Sequence, residues 1–258
     1  MSLVGEFLSA LHRWRTWFLM ANQDIQLRYR RSLIGPFWIS IALATTVVSI
    51  GLLYSEVMRV PYREFLSWFG SGLLAWVLLS AMISEGCSVV ADNEGHLRGV
   101  PLPVPVLAAR VVCRNAIIFA HNAIVVVPML ALIGFALQPI ALLAVLSLAV
   151  YLPLGWFTAI AIGPVCARFR DLAQVVASAM QIIFFFTPIF WVPNLEFSRP
   201  VLVEANPFYH LIQLLREPLL GRAPTLLNWQ VSTALVAIAA AAALASLSLT
   251  RRRVYLWL

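Results

Sequence analysis

Five long stretches without a single charged side chain constrain this chain more than any other feature. They are Leu33–Ser55, Phe65–Ser84, Asn115–Ala167, Leu172–Leu195 and Ala223–Thr250. A helix that crosses the hydrocarbon core needs about 20 mostly apolar residues, because water is absent there and every backbone group must be satisfied within the segment. Four stretches suit one span each. The third has 53 residues and suits two, with a turn near Gly134, Gln138 and Pro139. The expected fold is therefore an all-α integral membrane protein of six transmembrane helices, at about 33–55, 65–86, 110–134, 139–166, 172–192 and 226–250. Composition agrees: 11% of residues are charged, against about 25% in soluble domains.

Charge placement gives an orientation. The net charge is +7, carried by 18 Arg with no Lys. Nucleic acid is not the expected partner, because these arginines fall between apolar runs rather than along one helical face. With the N-terminus inside, 13 arginines lie on the inner side and 5 on the outer side. The positive-inside rule then puts both termini in the cytoplasm. No cleavable signal peptide is recognisable, since no small-residue cleavage site follows a short apolar stretch.

Three segments between spans carry further information. Residues 3–18 repeat Leu3, Val4, Phe7, Leu8, Leu11, Trp14 and Phe18 at three-four spacing. This predicts an amphipathic helix in the inner interface, or a packed surface helix. Residues 91–106 hold Asp92 or Asn93 as a possible cap, followed by Pro101, Pro103 and Pro105. A short helix over 92–99 with a rigid exit suits a cytoplasmic docking element, or a plain connector. Residues 194–222 form the longest outer loop. Within it, Phe208, Leu211, Ile212, Leu215 and Leu219 share one face, so a short helix dips towards the membrane where protein covers its backbone.

Aromatic residues crowd the outer end of the fifth span, at Phe184, Phe185, Phe186, Phe190 and Trp191, and Phe37, Trp38 and Tyr54 flank the first. They read either as an interfacial belt with core packing, or as a lining on which sugar rings stack through their C–H faces.

Much chemistry is excluded. Without Lys there is neither a Walker A motif nor a Schiff-base lysine. Cys87, Cys113 and Cys166 are scattered and read as small apolar side chains. His12, His96, His121 and His210 are isolated, and His121 reads as a helix–helix hydrogen bond. Glu85, Arg110 and Arg114 read as a salt bridge at the inner span ends. Sparse carboxylates within the spans argue against a proton-coupled carrier or a membrane hydrolase.

Four stretches carry a resemblance: DIQLRYRRSLIGPFWISI (24–41), NEGHLRGVPLPVPVL (93–107), ARFRDL (167–172) and NPFYHLIQLLREPLLG (206–221). In this order they resemble the permease subunit of bacterial ABC exporters for polysaccharides, which export O-antigen, capsule and teichoic acid. The resemblance implies a channel-forming subunit that is not an enzyme by itself and sits in the bacterial inner membrane. Its partners would be a second copy, two separate ATPase subunits holding ATP and Mg2+, membrane lipids and an undecaprenyl-diphosphate-linked polysaccharide. It needs no cofactor of its own. By resemblance, Asp92, Asn93, Glu94, His96, Leu97 and Arg98 couple to the ATPase. Arg28, Tyr29, Arg30 and Arg31 mark the glycan entrance at the interface. Phe37, Trp38, Tyr54, Phe185, Phe186, Phe190 and Trp191 line the channel. Asn206, Pro207, Tyr209, Arg216 and Gly221 form the outer gate. Gly95 and Gly99 weaken the coupling helix, each by about 1 kcal/mol relative to Ala. Two other readings compete: a drug or lipid exporter permease, and a multispan glycosyltransferase or acyltransferase. The latter would need a membrane-edge site, which only Glu85, Asp92 and Glu94 approach.

Overall fold

The computed structural model describes residues 3–30, 32, 34–35, 37–93, 95, 102–133, 138–193 and 200–250. Among them every regular element is helical. Five helices are long and apolar enough to cross a membrane, and the chain is a multi-pass membrane protein. The helix expected over 3–18 comes in two pieces, α1 (Leu3–His12) and α2 (Trp14–Arg28), and the second continues beyond the amphipathic pattern. They break at Arg13, whose ψ of 30° departs from the helix. Trp17 bridges the break by donating its indole N–H to the Ala10 carbonyl at 3.0 Å.

The first two spans are α3 (Phe37–Met58) and α4 (Tyr62–Ser88). A tight turn joins them, with Arg59 at φ 53° and Pro61 before the first turn of α4. A 3-10 turn, Ala91–Asn93, follows. It is the described part of the expected coupling helix; Glu94, His96, Leu97, Arg98 and Gly99 lie outside the described residues. Pro103 is extended, at ψ 142°, and launches α5 (Val104–Leu132). This span begins six residues before its expected start, because proline is well tolerated in a first turn, where N–H groups lack partners anyway.

The long apolar stretch contains the single turn α6 (Leu143–Leu146) and the span α7 (Leu148–Arg168). The stretch expected to hold the fifth span contains α8 (Asp171–Phe186), with 16 residues. It falls short of the length of the other spans. Thr187 precedes a proline and is extended, at ψ 133°; such positions disfavour helix, and the chain turns there. Beyond it come α9 (Pro200–Glu204), α10 (Pro207–Leu219) and the last span, α11 (Leu226–Thr250).

α4 is the centre of the molecule. In its most apolar window 72% of residues are buried, against 22–33% in the other four spans. α3, α5, α7, α8 and α10 all pack on it. Small residues permit this. A Cβ on Gly86 would lie 3.0 Å from Ala159 of α7, and Gly155, Ala159 and Gly163 present a small-residue stripe at four-residue spacing, as in close membrane helix pairs. The other spans expose apolar side chains such as Leu52, Leu53, Ile124 and Leu249, as chains facing lipid do.

Candidate functional site

At the face carrying α1 and α2, the helix ends are held by charge. Asp24 of α2 accepts from Arg110 Nε at 2.8 Å and from Arg114 at 2.9 Å, both on α5. Arg114 also donates to Glu85 of α4 at 2.8 Å, and Asn115 donates to the same carboxylate oxygen at 2.6 Å. Arg28 approaches the other Glu85 oxygen at 3.8 Å. Arg110 reaches Asn93 in the 3-10 turn as well, and Asn93 anchors on the Val89 carbonyl at 2.8 Å. One connected network thus joins the amphipathic helix, the end of α4, the start of α5 and the first residues of the expected coupling segment. Burial raises the Asp24 carboxyl pKa, but the hydrogen bonds and charges of Arg110 and Arg114 outweigh it and hold the group below the ordinary carboxylate range.

The expected pairing of Glu85 with Arg114 is present, but Arg110 pairs with Asp24, a residue the sequence reading did not single out. Its only visible signal is an i,i+4 spacing to Arg28, which suggests a local pair; its partners lie 86 and 90 residues away. Glu85 is engaged as described, and Asp92 accepts from Ser88. Arg28 and Arg30 are exposed beside this network, Tyr29 closes α2, and Arg31 lies outside the described residues.

At the opposite face, α10 is built by local rules. Asn206 is extended and its side-chain oxygen accepts from the Phe208 N–H at 2.9 Å, while Pro207 fills the first helical position. The other end is a Schellman turn: Gly221, at φ 77°, donates to Pro218 at 3.1 Å, and Arg222 donates to Glu217 at 2.9 Å. Only a residue free to adopt positive φ closes a helix this way. Between these ends Leu211, Ile212, Leu214, Leu215 and Leu219 are buried, together with His210, Gln213 and Arg216. Burial therefore extends well beyond the single apolar face expected from sequence. Polar groups inside have partners: His210 meets Asn228 at 2.8 Å and the Glu204 carbonyl at 2.7 Å, and Gln213 donates to Tyr209 at 3.0 Å.

Gln213 Oε1 has no donor among the described residues, and Arg216 departs further. It is fully buried. It donates to the Pro188 carbonyl at 2.9 Å and lies 3.9 Å from the centre of the Trp68 ring. Its Nε and second terminal nitrogen find no acceptor among the described residues. Gly72, one turn beyond Trp68 on α4, makes room for it: a Cβ there would fall on the guanidinium.

The aromatics divide into groups. Tyr54, Phe184 and Phe185 each meet Phe190 within 6 Å, and Phe184 continues the cluster to Trp76. Phe185 and Phe186 are 63% and 74% exposed. With Trp191 they line a cleft of about 560 Å³ whose other wall includes Asn206, Pro207 and Phe208. Two sets of residues predicted separately, the aromatics and the start of the outer helix, thus share one cleft. Asn206 fixes its base by donating to Thr187 at 3.0 Å. Phe37 and Trp38 are elsewhere, at the other end of α3, about 25 Å from Tyr54 by helical rise. Phe37 packs edge-on against His121. The expected helix–helix hydrogen bond at His121 is made instead by its neighbour Asn122, which accepts from Ser40 of α3 at 2.8 Å, while His121 bonds Ile117 of its own helix.

An all-helical multi-pass core, with a charge network at one face and an aromatic cleft at the other, defines the class as a multi-pass integral membrane protein. Residues 15–220 match the family described as ABC-2 type transporter, and the chain belongs to that family. It is an ABC transporter permease. It is also similar to an O-antigen export system permease protein, RfbA, from Myxococcus xanthus, with 25% identity over 200 residues and 75% of each chain covered.

Proposed function

We propose that this chain is the channel-forming subunit of an ATP-driven exporter that moves a lipid-linked polysaccharide, O-antigen in the first instance, across the bacterial inner membrane. Energy enters through a separate ATPase that docks at the segment after α4, around 92–99. A second copy of the chain completes the conduit. The face of α1 and α2 is cytoplasmic, and both termini lie there.

The observation that carries this reading is the cleft of Phe185, Phe186 and Trp191 against Asn206 and Pro207. Exposed rings beside a helix start offer flat apolar surfaces that hold sugar C–H faces weakly, so a polymer can slide. Its position at the face opposite the charge network suits an exit. At the other face, exposed Arg28 and Arg30 beside α2 suit the diphosphate of the lipid carrier, since guanidinium groups pair well with phosphate. The similarity to an O-antigen export permease supports the same substrate class.

Co-purification with the ATPase tests the docking. The complex should hydrolyse ATP, and replacing Leu97 and Arg98 by Ala should leave it assembled and hydrolysing while export stops. Normal surface polysaccharide in that double variant would overturn the coupling assignment.

A further inference from the structure

Arg216 poses a physical question that the proposed function leaves open. Among the described residues Arg216 forms no ion pair with a carboxylate, and a buried guanidinium so placed costs free energy that a methionine of similar volume would not. Its contacts come from two places: the Pro188 carbonyl after α8, and α4, where Trp68 meets the guanidinium face and Gly72 leaves room for it. The cation therefore binds the outer helix α10 to the outer half of α4 and to the break that ends α8. Thirteen residues further along α4, about 20 Å by helical rise, Glu85 is held by Arg114, which shares Asp24 of the amphipathic helix. At 100° per residue, Gly72 and Glu85 lie on roughly opposite sides of α4. This most buried helix is thus gripped by α10 on one side at one end, and by the α2–α5 network on the other side at the other end.

We infer that Arg216 is a positioning residue that makes the outer helix follow α4, so that displacement of the Asp24–Glu85 network at the amphipathic-helix face is delivered to the cleft at the opposite face. This rests on the exporter reading for its biological purpose, but the mechanical link belongs to the chain itself. The cation–π contact, the single carbonyl bond and the two nitrogens without acceptors suit a contact that re-forms as helices shift. A saturated ion pair would resist such a shift.

The experiment uses the full chain in lipid nanodiscs, where both faces are accessible. Cys87, Cys113 and Cys166 are replaced by Ala. A single reporter, A223C, is placed in the exposed stretch after the Schellman turn. Its reaction rate with a polar maleimide is measured in the parent, in D24N, in G72A, in R216M and in the doubles D24N/G72A and D24N/R216M. G72A displaces the guanidinium without removing it, so it carries the test if R216M does not fold. Each single change should alter the rate about fivefold or more. Each double should show the rate of its larger single. Rates that multiply in the doubles, or a D24N rate equal to the parent's, would overturn the link. A second arm adds the ATPase and ATP. The parent rate should then change, and the D24N and G72A rates should not. If the parent is indifferent to ATP while the doubles remain non-multiplicative, the link stands and the proposed drive of the cleft by the ATPase falls.

Discussion

The molecule places arginines in two settings that differ in nearly every respect. At the face of α1 and α2, Arg110 and Arg114 share Asp24, with Glu85 and Asn93 as further acceptors, while Arg114 Nε has none among the described residues. At the opposite face Arg216 has one carbonyl and one indole ring, and among the described residues it forms no ion pair with a carboxylate. Removing one member of a buried ion pair leaves a charge without its partner, and this is strongly destabilising. Removing an isolated cation relieves a desolvation cost. The first arrangement locks helices together. The second is tolerated at the expense of stability and points to function.

The largest stability effect is expected for D24N, which leaves Arg110 with Asn93 and no carboxylate partner among the described residues, and Arg114 with Glu85 alone. Thermal unfolding in detergent should report a loss on the order of 3 kcal/mol. G72A should follow, at about 2 kcal/mol, because the added methyl occupies the guanidinium's place; an unchanged melting temperature would mean that Arg216 has room to spare. N206A removes the cap of α10 and should cost about 1 kcal/mol, read by the same assay, with faster proteolysis around 200–207. Acid sharpens the contrast further. Asp24 has its folded-state pKa depressed by Arg110 and Arg114 despite burial. Its stabilisation is complete above the unfolded value of about 3.9 and is lost as pH falls through the depressed folded value. The parent should lose melting temperature across that window, and D24N should lose less. The smallest effect on stability, within about 1 kcal/mol or a slight gain, is expected for R216M, yet export should fall. A large destabilisation by R216M would erase the distinction between the two settings.

Much of the fold was legible because hydropathy in membranes answers to one constraint, the satisfaction of backbone groups in hydrocarbon. The signature at 206–221 was legible too, and its cap, first-turn proline and closing glycine have local structural causes. What escaped the sequence was long-range. Asp24 lies beyond the amphipathic pattern of residues 3–18, and its partners lie 86 and 90 residues away. Trp68 and Gly72 looked like ordinary residues of an apolar span, and only the approach of Arg216 gives them meaning. Phe37, Trp38 and Tyr54 flank the first span in the sequence, and the resemblance assigns all three to one lining. Tyr54 joined the cluster at Phe190, while Phe37 and Trp38 remained at the far end. The shortness of α8 follows from Thr187-Pro188, a dipeptide signal that prevails over the apolar run around it.

Where the polymer accumulates tests the export claim most directly. In a strain lacking this gene, surface polysaccharide should be absent while its undecaprenyl-diphosphate-linked form builds up on the cytoplasmic side. The wild-type gene should restore surface polymer, and the R216M gene should not. Undiminished surface polysaccharide in the deletion strain, with no internal accumulation, would contradict the account.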